Sequence, residues 1–393
     1  MPRKGEAEAN MNKLLQSKRR GSAIALVLLV IVILLATGTG LLSLGLRSRI
    51  FAIRNASDIT ARCAADAGLT IAVFEMNEKL KVKPWDDSTL PQVTERTLLN
   101  CDAIFSYTAT GDLDNGYIIE SVGKSNQAER KVSSTLRLKG LFDSAILVQD
   151  TITLVTGTLV EGYDPENPSE GDVPVEIATT SDDAGDITLG PGAEVDGEVL
   201  VGVQGYFPPV NPPTLPDMGT DIDIFGGTLT IGPGDSGMYT DISAARGPGG
   251  AGVLEIDGGD VVLYVTGNIL LGQDCEILIR PDSSLTLYLD GDLTGNNSCG
   301  VNNETQDATC FALYGTGEDQ DIELRARSDF YGAVYAPNAD ITIRAGCNVC
   351  GSFISESFTT TGTGSLIRYD AALRNVTTTD VGVVFVVQYW SEE

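Results

Sequence analysis

The feature that most constrains this chain is a run of 25 residues without a charge, Ser22 to Leu46, reading SAIALVLLVIVILLATGTGLLSLGL. As a helix rising about 1.5 Å per residue it reaches roughly 37 Å, enough to span a bilayer core of about 30 Å. A cleaved secretory signal has a shorter apolar stretch that ends in small residues, whereas this run continues to Arg47, so the segment reads as one that stays with the protein. Lys18, Arg19 and Arg20 stand directly before it, with Arg3, Lys4 and Lys13 further upstream. The positive-inside rule then places the first 20 residues in the cytoplasm and the rest of the chain across the membrane, as a single-pass anchor.

Charge divides the chain in the same place. Residues 1–50 hold eight Lys/Arg against two Asp/Glu, which leaves 18 against 52, or −34, for the remainder of a chain with net charge −28. So acidic a body repels phosphate backbones, and nucleic acid is excluded as a partner of its bulk. There is no histidine in the 393 residues. That removes the commonest general base, the Ser-His-Asp and Cys-His nucleophile systems and the commonest metal ligand, so the reading is of a protein that is not an enzyme and carries no cofactor.

Arg19-Arg20-Gly21 runs directly into Ser22 and the apolar stretch. This arrangement resembles a class III signal, cut by prepilin peptidase after a glycine that precedes the apolar helix, and the string KRRGSAIALVLLVIVILL resembles the N-terminus of PilX-type minor pilins. The resemblance implies that Gly21 ends a basic leader and Ser22 begins the mature chain. Major pilins carry glutamate at the fifth mature position; here that position is Leu26, as in PilX-like and tip subunits. Downstream, Ala64-Ala65-Asp66-Ala67-Gly68-Leu69 is similar to the YAAEAGL helix of the same family. Leu69, Val73, Met76 and Leu80 keep helical spacing, and Pro84 ends the helix. The pilin resemblance implies one continuous helix, half in membrane or fibre and half packed on a β-domain, with Gly38 and Gly40 serving either as a bend or as a small-residue packing face.

Beyond Pro84 the chain turns to short alternating segments bounded by Gly, Asp and Asn, the pattern of strands. Residues 103–111, 116–125 and 130–140 predict three antiparallel strands joined by the turns DLDNG and NQAE. From Leu141 internal repetition appears. Leu263-Tyr264-Val265 with Gly267 recurs 24 residues later as Leu287-Tyr288-Leu289 with Gly291; Ile187 to Gly192 resembles Leu229 to Gly234; Tyr331 to Tyr335 aligns with Cys350 to Ile354, 19 apart. Periods of this size predict β-solenoid rungs, with an antiparallel sandwich as the competing arrangement. Residues 329–373 also resemble the C-terminal domain of unknown function that follows PilX-like N-termini, through Gly332, Tyr335-Ala336-Pro337-Asn338-Ala339, Gly351-Ser352 and Tyr369-Asp370. Residues 381–390 predict a closing strand over the last rung.

Seven cysteines in an exported body favour disulfides. Cys299 and Cys310 bracket a polar stretch and form the expected pair; Cys347 and Cys350 pair with each other or with Cys275; Cys63 on the helix is within reach of Cys101. Cys347-x-x-Cys350 lacks the second CxxC or the histidines of a zinc site. Asp112, Asp114 and Glu120 make part of a calcium loop without its twelve-residue pattern, so a hairpin turn is expected there.

The fold class expected is α+β and mostly β: residues 1–21 a basic leader, 22–83 a long helix with 22–46 transmembrane, 84–140 a small antiparallel β-domain, and 141–393 a right-handed parallel β-helix. The expected function is that of a minor pilin or pseudopilin held in the inner membrane. Its partners are prepilin peptidase, other pilins through the helix and, through the body outside, a surface glycan or another cell. Two alternatives stand beside it: a permanently anchored envelope solenoid that binds glycan or polymerises, and a polysaccharide-active enzyme using acidic cleft residues.

Overall fold

A computed structural model describes residues 22–113, 115–164, 173–203, 205, 207–325, 329–344, 347–375 and 382–392. The protein is mostly β, with one long N-terminal helix and several sheets. It divides into two units. Helix α1 (Ser22–Leu80) and the strands β1 (Gln92–Thr97), β2 (Ile104–Asp112), β3 (Gly116–Ser125) and β4 (Ala128–Lys139) make most of the first. The second comprises Leu80–Trp85 and Leu138–Val386.

In the first unit the strands run antiparallel in the order β1-β2-β3-β4, with a turn at residues 126–127 between β3 and β4. The three expected strands correspond to β2, β3 and β4; β1 is an addition, joined to β2 through a bulge between Val93 and Arg96. The last strand, Val384–Glu392, lies beside β4 as the fifth member of this sheet. That corrects the expected closing strand over the stack. An apolar alternating segment looks the same whichever edge it completes, and residues 381–383 at the start of the expected cap include Val381, outside the described residues.

The second unit is built from parallel ladders. Leu263, Leu287, Leu313, Val334, Phe353, Ile146 and Ile177 are successive register partners, and all are fully buried. A second ladder runs Ile242, Ile269, Leu293, Ile322, Ile341, Phe358, Ile152. A third joins Leu254, Ile277 and Val301, with the exposed Leu229 as its end member. Alternation along each strand turns every second side chain inward, and register places each on the one below, so one continuous apolar core forms. The 24-residue repeat coincides with the ladder Leu263↔Leu287, and the 19-residue one with Tyr331↔Cys350. The resemblance of Ile187–Gly192 to Leu229–Gly234 does not: Ile187 pairs with Ile152, and Leu229 with Leu254.

Acidic turns belong to the same register. Asp241 Oδ1 accepts from the Asn268 N–H at 2.7 Å, Asn268 Oδ1 from Asp292 N–H at 2.8 Å, and Asp292 Oδ1 from Asp321 N–H at 3.0 Å. Each Asx side chain thus satisfies the backbone of the next rung, where a corner interrupts the ladder. Gly291 is required beside them, since a Cβ there would meet Gly267 O and Asn268 Oδ1 at 2.5 Å.

Chain order and stacking order differ. The first strand of this unit, Ile146–Val148, pairs with Asn348–Thr360 near its end, so the beginning and end of the unit meet in the middle of the stack. Gly197–Leu200 lies at one end of the ladder and Ile222–Phe225 at the other, and residues 207–221 lead into the latter. Pro208 O accepts from Tyr335 Oη at 2.7 Å and Pro216 O accepts from Met238 N–H at 2.8 Å. Between those anchors the outward column is Tyr335, Tyr314, Tyr288, Tyr264, Met238 in register. Eight extended residues reach about 25 Å and four rungs rise about 19 Å, so a proline-rich strap fits along an aromatic track.

Leu287 lies in the middle of the first ladder with no exposure. Leu287→Ala is expected to cost about 2–5 kcal/mol, read as a lowered midpoint in chemical unfolding; an unchanged midpoint would contradict a packed core at this rung.

Candidate functional site

Helix α1 is the candidate site, since its two halves meet different surroundings. From Ile24 through Ala56 the described side chains are exposed: Leu34 by 63%, Leu41 by 70%, Leu42 by 65%. Polar groups in this stretch are satisfied by the helix itself, with Thr37 Oγ1 donating to Ile33 O at 3.0 Å and Thr39 Oγ1 to Leu35 O at 2.9 Å. That is what a low-dielectric surrounding requires. It is the one helix among the described residues long and apolar enough to cross a membrane. No side chain or backbone outside the helix stands within 4 Å of where a Cβ on Gly38, Gly40 or Gly45 would be, and α1 continues unbroken through all three.

The second half is a packing helix. Ser57, Ala61, Ala64, Ala65, Gly68, Leu69, Ala72, Met76 and Leu80 are buried, a stripe at spacings of three and four. Of the expected apolar face, Leu69, Met76 and Leu80 are buried and Val73 is half-buried. The alanines, rather than the large residues, decide how near the helix lies to the sheet. Gly123 of β3 faces Ala61, Ala64 and Ala65 so closely that a Cβ there would run into the Ala61 carbonyl and the Ala65 amide. At the edge of this contact Arg130 donates from Nε to Asp58 Oδ1 at 2.7 Å and from Nη2 to Oδ2 at 2.8 Å. The Arg130 hydrogen bonds hold the Asp58 carboxyl below its usual range. Beside them opens a groove of about 820 Å³ lined by Ile50, Ile53, Arg54, Asn126 and Gln127 among others.

The remaining expected residues are placed as follows. Ser22 is the first residue of α1; Gly21 lies outside the described residues, as does Asp114. Asp112 accepts from the Asn115 N–H at 2.8 Å, tying the hairpin, and Glu120 is paired with Lys131 at 2.8 Å. Among the described residues no group of three His, Cys, Asp or Glu could hold a metal ion. Cys63, Cys101, Cys275, Cys299, Cys310 and Cys350 carry free thiols. Cys63 is exposed on α1 and Cys101 half-buried near Leu98 O. Cys299 is buried and Cys310, which ends a short 3-10 helix, is half-buried. Cys347 joins the apolar core, whereas Cys350, buried on the other side of its strand, does not. Burial, then the nearby Asp370 charge, pushes the Cys350 thiol up to about 12.

Residues 217–376 match the model of a family described as Domain of unknown function (DUF7305). No curated protein matches the chain. Among solved structures, the competence-associated pilin ComZ from Thermus thermophilus is 15% identical with a TM-score of 0.23, covering 86% of this chain and 97% of its own. An ice binding protein from an Antarctic bacterium, Flavobacteriaceae, is 12% identical with a TM-score of 0.23, covering 58% of this chain and 82% of its own. Likenesses of this depth carry no argument about function.

Two outcomes follow from the helix–sheet contact. Gly123→Val is expected to push α1 from β3 and lower the unfolding midpoint markedly, whereas the same change at Gly40, which faces nothing, leaves it unchanged. Because the folded pKa of Asp58 is depressed, the Arg130 pair contributes stability above the ordinary carboxylate pKa of about 3.9 and loses it as pH falls through the lower folded value. Arg130→Gln should flatten the fall in stability below about pH 4; identical acid slopes in chemical unfolding would show that the pair contributes nothing.

Proposed function

We propose that this chain is a pilin-like assembly subunit, of the minor-pilin kind, that displays an acidic β-helical body outside the inner membrane. The observation that carries this reading is the division of α1: an uncovered apolar half continuous with a half locked onto a small sheet. Left in water, each large apolar side chain of the first half would cost about 1.5–3 kcal/mol, so it must lie in lipid or against other helices. A helix that can exchange the one for the other is an assembly element, and the sheet packed on its far half gives it a fixed handle.

The basic residues before Ser22 hold the N-terminus in the cytoplasm, and prepilin peptidase cuts after Gly21 before assembly. Leu26 in place of the glutamate of major pilins fits a subunit at a tip or an initiating position. The stacked ladders of the second unit form a right-handed parallel β-helix that acts as a rigid spacer or adhesive surface, with polar and acidic side chains outward. Its role is structural and not catalytic.

Shearing cells and separating fibres from membranes tests the reading. The chain is expected in the sheared fraction of cells that hold prepilin peptidase, and Gly21→Leu is expected to leave it full-length and wholly in the membrane. Retention of the unaltered protein in the membrane, with none in fibres, would make it a permanent envelope anchor instead.

A further inference from the structure

Small residues stand just before register partners in two runs: Gly252, Cys275 and Cys299 on successive strands, and Cys347, Ser365, Thr158 and Ala193 on another set. Size alone explains Gly, Ala, Ser and Thr at these positions. It does not explain two thiols on adjacent rungs. Glu276 pairs with Gly300, so the residues before them, Cys275 and Cys299, stand opposite each other, and the Gly300 N–H donates to Cys275 O at 3.3 Å. Both are buried, at 0% and 1% exposure, in the same apolar core. Neighbouring parallel strands lie about 4.8 Å apart, which falls inside the ~4.4–6.8 Å range of Cα separations that a disulfide bridges.

The turns next to the thiols leave room only for glycine. The Cys299 Sγ lies where a side chain on Gly295 would have to be, and a Cβ on Gly272 would meet the Ala244 carbonyl oxygen at 2.9 Å. Cys299 Sγ donates to Asn296 O at 2.8 Å, and Cys275 Sγ accepts from the Gly252 N–H at 3.3 Å. These are weak partners that a rotation of either side chain gives up at small cost. The expected partner of Cys299, Cys310, lies on the 3-10 helix at 308–310 and outside these runs.

We infer that Cys275 and Cys299 form a rung-to-rung disulfide when this chain folds in the presence of a disulfide oxidant. With oxidised glutathione, the Cys275 thiolate attacks one glutathione sulfur and expels a glutathione thiolate. Cys299 then attacks the Cys275 sulfur and expels the second. One S–S bond forms as one breaks, the two thiol protons pass to the leaving thiolates, and glutathione takes the two electrons. The bond joins two rungs whose register the apolar core already sets. In the cell the inference rests on the exported body proposed above, which supplies the oxidising compartment; with added glutathione it does not.

The test is to refold the full chain from denaturant in a glutathione redox buffer, alkylate the remaining thiols, and map peptides without reduction. Cleavage after Arg280 and Glu304 separates Cys275, Cys299 and Cys310. The expected product links the peptides carrying Cys275 and Cys299, two hydrogens lighter than their sum, and is lost in both Cys275→Ala and Cys299→Ala. Those variants should fold, because glycine, serine and alanine already occupy equivalent positions in the two runs. Alkylation of both cysteines in refolded protein, or a Cys299–Cys310 link, would overturn the inference. A link that forms with glutathione while protein taken from cells carries both thiols reduced would uphold it and count against export.

Discussion

An apolar helix whose first half finds no partner among the described residues is the constraint on which the rest depends. The first half of α1 exposes leucine, isoleucine and valine on every side, as a membrane span does and as a surface helix of a soluble domain does not. The second half narrows to a stripe of alanines against a glycine in β3. Close backbone approach replaces bulky interdigitation there, and it makes the small sheet a rigid extension of the helix.

The second unit meets a different constraint. A single rung has too little apolar surface to offset the ordering of its own backbone, so stability comes only from neighbours stacked in register. In this chain sequence-distant strands are neighbours: the first two strands of the unit, Ile146–Val148 and Ile152–Leu154, dock on one of the last, through Phe353↔Ile146 and Phe358↔Ile152. The described residues of the strap, 207–221, are mostly exposed, and it is tied to the stack at Pro208 O by Tyr335 and at Pro216 O by Met238. Two consequences meet here. The interior rungs are all flanked on both sides, and the chain's entry to and exit from the unit fall in the middle of the stack instead of at an end.

Much of this was legible in the residues. Twenty-five uncharged positions led to the first half of α1, and the alternation after Pro84 to three of the antiparallel strands. Leu263 and Leu287 carry similar surroundings because they are register partners, so their spacing revealed two neighbouring parallel strands. What could not be read was order. A rung carries no mark of which distant rung it touches, and Ile187 resembles Leu229 because both lead into turns, though they lie in different ladders. The alanine stripe was hidden for another reason: hydrophobic spacing draws attention to Leu69 and Met76, while the closest contact is made by residues with almost no side chain. Register also places Cys275, 24 residues before Cys299, opposite it, a neighbour that spacing in the sequence does not show.

The central claim is that the uncovered half of α1 is the assembly element of a processed pilin-like subunit. N-terminal sequencing of the native protein, with its intact mass, tests this most directly. The account predicts a chain that begins at Ser22, with the basic leader gone and the apolar helix at the very start of the mature protein. A native chain beginning at Met1 would contradict it, and α1 would then be a membrane anchor and nothing more.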